Sequence, residues 1–223
     1  MKFRHEWKHE MNPLDLLVLR SRLRAVLEAD SHAVDGKYEI RSLYFDNLQD
    51  KVLREKRDGV SRREKFRLRY YNGDISLISL EKKSKVNGLC NKQKVPLTLT
   101  EIQSIFDDDF PYLLDSEKEL LRELGYKMQT QGLRPKTVVD YTREPFTYAP
   151  GNVRVTLDYD IRTGLFCTDF LNPNCITIPA GDAPAILEVK WDEFLPSMIR
   201  DLVQMKGRQT SSFSKYAACR IYG

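Results

Sequence analysis

Residues 64–71 read Glu-Lys-Phe-Arg-Leu-Arg-Tyr-Tyr. Successive side chains of an extended strand point to opposite faces, so Phe66, Leu68 and Tyr70 fall on one side and Lys65, Arg67 and Arg69 on the other. One such strand is an ordinary half-exposed strand with its charges in water. Here the pattern recurs. In 3–11, Phe3, His5, Trp7, His9 and Met11 oppose Arg4, Glu6, Lys8 and Glu10. In 153–161, Val153, Val155, Leu157, Tyr159 and Ile161 oppose Arg154, Thr156, Asp158 and Asp160. In 185–191, Leu187 and Val189 oppose Glu188 and Lys190. Segment 75–83 puts Glu81 with Lys83, and Lys92 shares a face with Lys94. With 38–46 and 136–143 the period of two yields about eight strands.

Helices lie between these strands. Asn12 is placed to cap a helix that Pro13 opens, with Asp15 in its first turn and Leu16, Leu19, Leu23, Val26 and Leu27 as its apolar stripe. Ser116 with Glu119 has the spacing of a capping box, and Gly125 is expected to end that helix. Pro196 opens another, and a last short helix is expected over Ser214 to Tyr222. Amphipathic helices need an apolar surface to cover, and the polar strand faces repeat Arg, Lys and Glu. The pattern predicts an α+β chain forming one domain over residues 1–223. Its architecture is a closed antiparallel eight-stranded β-barrel, helices packed outside and the charged face lining the lumen. Two like charges about 4 Å apart repel by about 4 kcal/mol at an effective dielectric of about 20. A lumen holding Lys8, Arg67, Arg69, Lys83, Lys94, Arg143 and Arg154 therefore implies a highly charged anion. Glu6, Glu81, Asp158 and Glu188 balance it in part and offer oxygens to a divalent cation.

The net charge is only +4, so the position of the charges carries the argument rather than their sum. Cys90, Cys167, Cys175 and Cys219 form no C-x-x-C pair and no zinc spacing, and are read as free thiols in a reducing compartment. The first residues lack the apolar core of a signal peptide, and Leu14–Leu19 is far short of a membrane span. A cytoplasmic protein is expected, associated with a membrane only through a partner. His5 and His9 lie on the apolar strand face and are expected to pack. No glycine-rich phosphate loop and no Ser/His/Asp pattern is present, and aromatics do not interleave with the basic face as nucleic-acid binding requires. Arg20, Arg22 and Arg24 are expected on a solvated helix face, and Asp107, Asp108 and Asp109 in a solvated loop. The basic run Lys51, Arg54, Lys56, Arg57, Arg62 and Arg63 is either a solvated element or a patch that guides polyanion at a tunnel mouth.

Seven stretches, SLYFDN (42–47), FRLRYY (66–71), SLEKKSK (79–85), DYTREPF (140–146), VRVTLD (153–158), ILEVKW (186–191) and SFSKY (212–216), together resemble the triphosphate tunnel superfamily. They are most similar to the catalytic domain of vacuolar transporter chaperone proteins. The resemblance implies a polyphosphate polymerase that transfers the γ-phosphate of ATP to a growing inorganic polyphosphate chain, with Mn²⁺ or Mg²⁺ as cofactor and a membrane-associated protein partner. It implies that Lys8, Arg67, Arg69, Lys83, Lys94 and Arg154 are tunnel cations, that Lys215 closes the site, and that Glu188 binds the metal. Glu6, Arg143 and Lys190 fall on lumen faces and are expected at the substrate. Hydrolytic members of the superfamily open with E-x-E-x-K, whereas this chain has Arg4, Glu6 and Lys8 in that register. A cation in the place of the first carboxylate weakens a water-activating metal site and favours transfer to another phosphate. The alternatives are a metal-dependent triphosphatase and a polyanion-binding domain without catalysis.

Overall fold

The alternation does build strands. The computed structural model describes residues 4–182, 184–205, 207 and 209–220. In chain order the strands are β1 (His5–Met11), β2 (Glu28–Ala29), β3 (Tyr38–Asp46), β4 (Arg62–Tyr71), β5 (Ser79–Val86), β6 (Leu89–Pro96), β7 (Arg134–Tyr148), β8 (Val153–Thr163), β9 (Ile178–Pro179) and β10 (Ala185–Trp191). The helices are α1 (Pro13–Val26), α2 (Lys51–Arg57), α3 (Leu99–Phe106), α4 (Phe110–Asp115), α5 (Glu119–Gln131), α6 (Ser197–Leu202) and α7 (Lys215–Ala218). Eight strands follow one antiparallel path, β1-β10-β8-β7-β3-β4-β5-β6, and the short β2 and β9 pair with β7 and β8.

The expected closed barrel is not realised as a continuous ladder. The path ends, β1 and β6, meet at one bridge, where the Arg4 N–H donates to the Cys90 carbonyl at 3.3 Å. β6 leaves its hairpin turn at Gly88, and Cys90 is the residue that comes alongside the start of β1. Side chains hold the rest of the seam: the Lys83 ammonium lies 2.8 Å from Glu6.

Apolar faces point outward beneath helices. Phe66, Leu68 and Tyr70 join Leu43 and Leu80 against Ile102, Ile105, Leu113, Leu121 and Leu124 of α3, α4 and α5. Val155, Leu157, Leu187, Val189 and Trp191 pack against Leu19 and Leu23 of α1 and Ile199 of α6. Burying each such side chain contributes about 1.5–3 kcal/mol. These two layers force the charged alternate residues inward.

Several local expectations are corrected. α1 has the expected reciprocal cap, Asn12 accepting from the Asp15 N–H at 2.7 Å and Asp15 from the Asn12 N–H at 3.0 Å. Its stripe is narrower than expected, since Val26 is exposed. Ser116 does not cap α5, which starts after Lys118 with no side-chain cap. Gly125 does not end α5 either. It lies mid-helix, where a Cβ would come 2.8 Å from the Leu113 Cβ, so glycine is what lets α4 lie this close. The helix stops at Gly132, whose φ of 66° is left-handed. Residues 75–77 form a 3₁₀ turn, and the strand begins only at Ser79. Arg20 and Arg24 are not merely solvated. They converge at 2.7 and 3.3 Å on Glu144, a buried carboxylate on the outer face of β7 that also accepts from the Tyr159 hydroxyl at 2.8 Å. In the aspartate loop, Asp108 pairs with Arg134 at 3.0 Å and Asp109 caps α4. The four cysteines are free. Phe3, Ile221 and Tyr222 lie outside the described residues.

Asp46, the last residue of β3, fixes one end of the molecule. It is buried, accepts from the Val52 and Leu53 N–H groups at 2.9 and 3.2 Å, and accepts from the Tyr216 hydroxyl at 2.6 Å. One carboxylate thereby ties α2 and α7 to the sheet. Replacing Asp46 with Ala should destabilise the fold by about 2–4 kcal/mol, and Tyr216→Phe by about 1 kcal/mol, in urea unfolding. A loss below about 0.5 kcal/mol for Asp46→Ala would show that these helices are held by other contacts.

Candidate functional site

The inward faces of β1, β3, β4, β5, β6, β7, β8 and β10 enclose a cavity of about 330 Å³, which Lys215 of α7 also reaches. Among the described residues it is lined by eleven lysines and arginines but only two carboxylates, Glu6 and Glu188. Ten of the expected site residues are there together: Lys8, Arg67, Arg69, Lys83, Arg154, Lys215, Glu6, Arg143, Lys190 and Glu188. Lys94 is not with them. It is exposed, 6.0 Å from the centre of the Tyr71 ring, at an opening shared with Asp30, Tyr38 and Arg154. Lys92 takes the inner place instead, its ammonium 2.6 Å from Glu81.

Four carboxylates hold most of these cations. Arg67 donates through Nε and Nη2 to one oxygen of Glu81, at 2.9 and 2.7 Å, and Arg69 lies 3.9 Å from the same oxygen. Arg143 grips Asp158 with two bonds of 2.6 and 2.7 Å, and Lys215 adds a third at 2.6 Å. Glu188 pairs with Lys8 at 3.5 Å and with Lys190. Glu6 lies 2.8 Å from Lys83 and 3.5 Å from Lys190. Burial disfavours ionising these groups, but the cations outweigh it. Glu6 is lowered to about 2 by Lys8, Lys83 and Lys190 against burial and Glu188, and Asp158 to about 2 by Arg143 and Lys215 against burial. Glu81 and Glu188 lie well below the usual carboxylate range for the same reason.

Lys65 and Tyr44 were not singled out by the sequence reading. Lys65 lies on the face of Arg67 and Arg69, with its ammonium 5.6 Å above the Tyr44 ring. Burial, then Lys83, Lys8 and Arg67, lower it to about 7 against the pull of Tyr44. Burial opposes ionising the Tyr44 phenol, but Arg67, Lys65 and Arg69 bring it down to about 7. Arg67 donates to its oxygen at 2.7 Å. Tyr141 was also missed; it accepts from Arg69 at 2.9 Å, and its ring lies 4.5 Å below the Lys215 ammonium. The signal for Lys65 and Lys92 was present, since each shares a face with a lysine or arginine that was chosen.

No three His, Cys, Asp or Glu side chains converge among the described residues. Glu6 and Glu188 face the cavity from adjacent strands, where Glu6 is opposite Lys190 and Lys8 opposite Glu188. Two hard oxygen donors suit Mg²⁺ or Mn²⁺ when phosphate oxygens and water complete the coordination. Arg4 directs its Nε to Asp192 at 2.8 Å.

The VTC domain model matches residues 3–221 of this chain. The chain belongs to the VTC domain family. Among solved structures, a candidate adenylate cyclase from Bacillus halodurans aligns with a TM-score of 0.50 and 12% identity over 85% of this chain and 80% of that one. The PH1819 protein from Pyrococcus horikoshii OT3 gives 0.50 and 12% over 95% and 94%. At such identities the likeness shows the fold alone. No curated protein gives a significant match. Among the described residues no helix of this VTC domain is long and apolar enough to cross a membrane.

Raising the pH through about 7 removes a proton from both Lys65 and Tyr44, so the lumen loses positive charge and its hold on an anion weakens. A bound polyanion raises both pKa values, so binding above that pH takes up protons. Calorimetry with tripolyphosphate at pH ~8, in buffers of different ionisation enthalpy, should show uptake of about one to two protons, reduced by about one in Lys65→Met. Unchanged uptake in that variant would exclude Lys65 as the source.

Proposed function

We propose that this VTC domain is a polyphosphate polymerase that moves the γ-phosphate of ATP onto an inorganic polyphosphate chain. The observation that carries the reading is the cavity itself, where lysines and arginines far outnumber the two facing carboxylates. Its tunnel is the curled sheet, with a β1–β6 seam held by Glu6 and Lys83 rather than by a full ladder. Phosphoryl transfer needs positioning and charge neutralisation more than covalent chemistry. Glu81 and Asp158 hold Arg67 and Arg143 in planar two-bond contacts before substrate arrives, which sets the guanidiniums for phosphate oxygens. A terminal phosphate oxygen of the acceptor, already ionised, forms a bond to the γ-phosphorus. The bond from that phosphorus to the β–γ bridging oxygen breaks, and ADP leaves. Neither step requires a strong general base. Glu188 and Glu6 are the residues that would hold Mn²⁺ or Mg²⁺, which supplies further neutralisation of phosphate oxygens when bound. The same reading carries a cytoplasmic protein, tied to a membrane only through a protein partner.

Incubation with ATP and Mn²⁺ should yield ADP and acid-insoluble polyphosphate, after a lag that added short polyphosphate shortens. Orthophosphate released in step with ADP, without polymer, would make the chain a triphosphatase. Tight tripolyphosphate binding without ADP formation would make it a binding domain. Glu188→Gln should lower kcat by about 100-fold or more. Its tripolyphosphate affinity should hold or rise, because Lys8 and Lys190 lose a competing carboxylate. Unchanged turnover would remove Glu188 from the mechanism.

A further inference from the structure

The basic run before and into β4 divides in the fold. Lys51 pairs with Glu55 at 3.9 Å and donates to Gln131 at 3.0 Å, while Arg54, Arg57 and Arg62 are exposed. Lys56 and Arg63 behave differently. They are half-buried and, with Lys85, line a second cavity of about 140 Å³ that shares Glu6, Lys8, Lys65 and Lys83 with the main chamber. The two cavities therefore adjoin, and Lys65 lies between them.

Within the chamber most cations have a carboxylate partner. At this opening the pattern changes. Among the described residues, none of Lys56, Arg63, Lys65 and Lys85 has an ion pair. Arg63 donates only to the Val60 carbonyl, at 2.6 Å. Two acids among the described residues border this cavity, and both are engaged elsewhere: Glu6 by Lys83 at 2.8 Å and Lys190 at 3.5 Å, and Glu64 by Lys82 at 3.1 Å and by Lys127 of α5. Burial, then Arg63, Lys8, Lys85 and Lys83, lower the Lys56 ammonium to about 8, a sign of like charges held together without compensation. The opposite opening is built otherwise. There Arg154 pairs with Asp30 at 2.9 Å, Lys94 lies over the Tyr71 ring, and Tyr38 stands edge-on to Tyr71. That end offers aromatic faces and a neutralised pair.

We propose that the opening framed by Lys56, Arg63, Lys65 and Lys85 is a second polyanion subsite, which holds the polyphosphate chain beyond the phosphates bound in the chamber. The inference rests on the polymerase reading and deepens it by giving the tunnel a direction. The phosphate chain runs out between α2 and the strands β4 and β5, and the nucleoside of ATP lies at the Tyr38–Tyr71 end. The chemistry follows from charge. An anion of many phosphates can reach the unpaired cations, whereas a triphosphate is satisfied by the chamber alone.

The test compares two probes on the full chain: tripolyphosphate, and a polyphosphate long enough to extend past the opening. In Lys56→Gln/Arg63→Gln/Lys85→Gln, tripolyphosphate affinity should stay within about twofold, which also shows that the fold is intact. Affinity for the long chain should fall by about tenfold or more, with a shallower dependence on salt. Lys94→Gln should leave the ratio of the two affinities unchanged. Equal loss of both probes in the triple variant, no loss of either, or selective loss of the long chain in Lys94→Gln would overturn the inference. Failure of the wild-type chain to bind either probe would sink the polymerase reading along with it, so the two failures are distinguishable.

Discussion

Repulsion among lysines and arginines turned toward one another inside a curled sheet is the constraint on which this structure depends. At about 4 Å and an effective dielectric of about 20, each unrelieved contact costs about 4 kcal/mol. The chain meets that cost with Glu6, Glu81, Asp158 and Glu188, all buried or nearly so, each holding at least two cations. Their depressed pKa values mean they remain ionised across the physiological range. The compensation is incomplete, since the cations outnumber the carboxylates, and the remainder is what an anionic ligand would satisfy.

The rest of the architecture makes this crowding possible. An ordinary half-exposed sheet turns its apolar face to a core and its charges to water. Here the apolar faces are covered from outside, by α3, α4 and α5 on one flank and by α1 and α6 on the other. The third apolar cluster lies at an end of the cavity. Tyr216 of α7 packs there on Tyr44, and Asp46 ties α7 and α2 to β3. Lys215, next along α7 from Ser214, is brought by that attachment onto Asp158 and over Tyr141. A carboxylate at the end of one strand thus helps to position a cation 169 residues further along the chain.

Which face carries the charges was legible in the sequence for β1, β4 and β10, because a period of two needs nothing but the residues themselves. In β8 the left-handed Asp160 and the shifted register beside it break the alternation, and Ile161 packs with Tyr44 and Ile186 rather than with Leu157. Depth along the strand was not legible. Lys94 is the register partner of Glu81, yet Lys92 makes the ion pair, because neighbouring strands twist and diagonal neighbours come within reach of long side chains. Long-range pairing was equally hidden. Nothing near Arg20 announces that Glu144 will arrive on its helix face, and nothing near Gly125 announces that Leu113 will lie against it. Closure of the barrel failed as an expectation because period and strand number fix the faces but not how many backbone bonds the last two strands exchange. Seven short stretches in order carried the family, while Tyr44 was overlooked because a tyrosine among apolar residues reads as core.

The measurement that bears most directly on the account is a crystal structure of the chain with tripolyphosphate. Phosphates should lie in the chamber between Arg67, Arg69, Arg143 and Arg154, with Arg67 and Arg143 still held by Glu81 and Asp158 and their remaining N–H groups donating to phosphate oxygens. Phosphate bound only on the outer surface, with the chamber filled by water, would contradict the account.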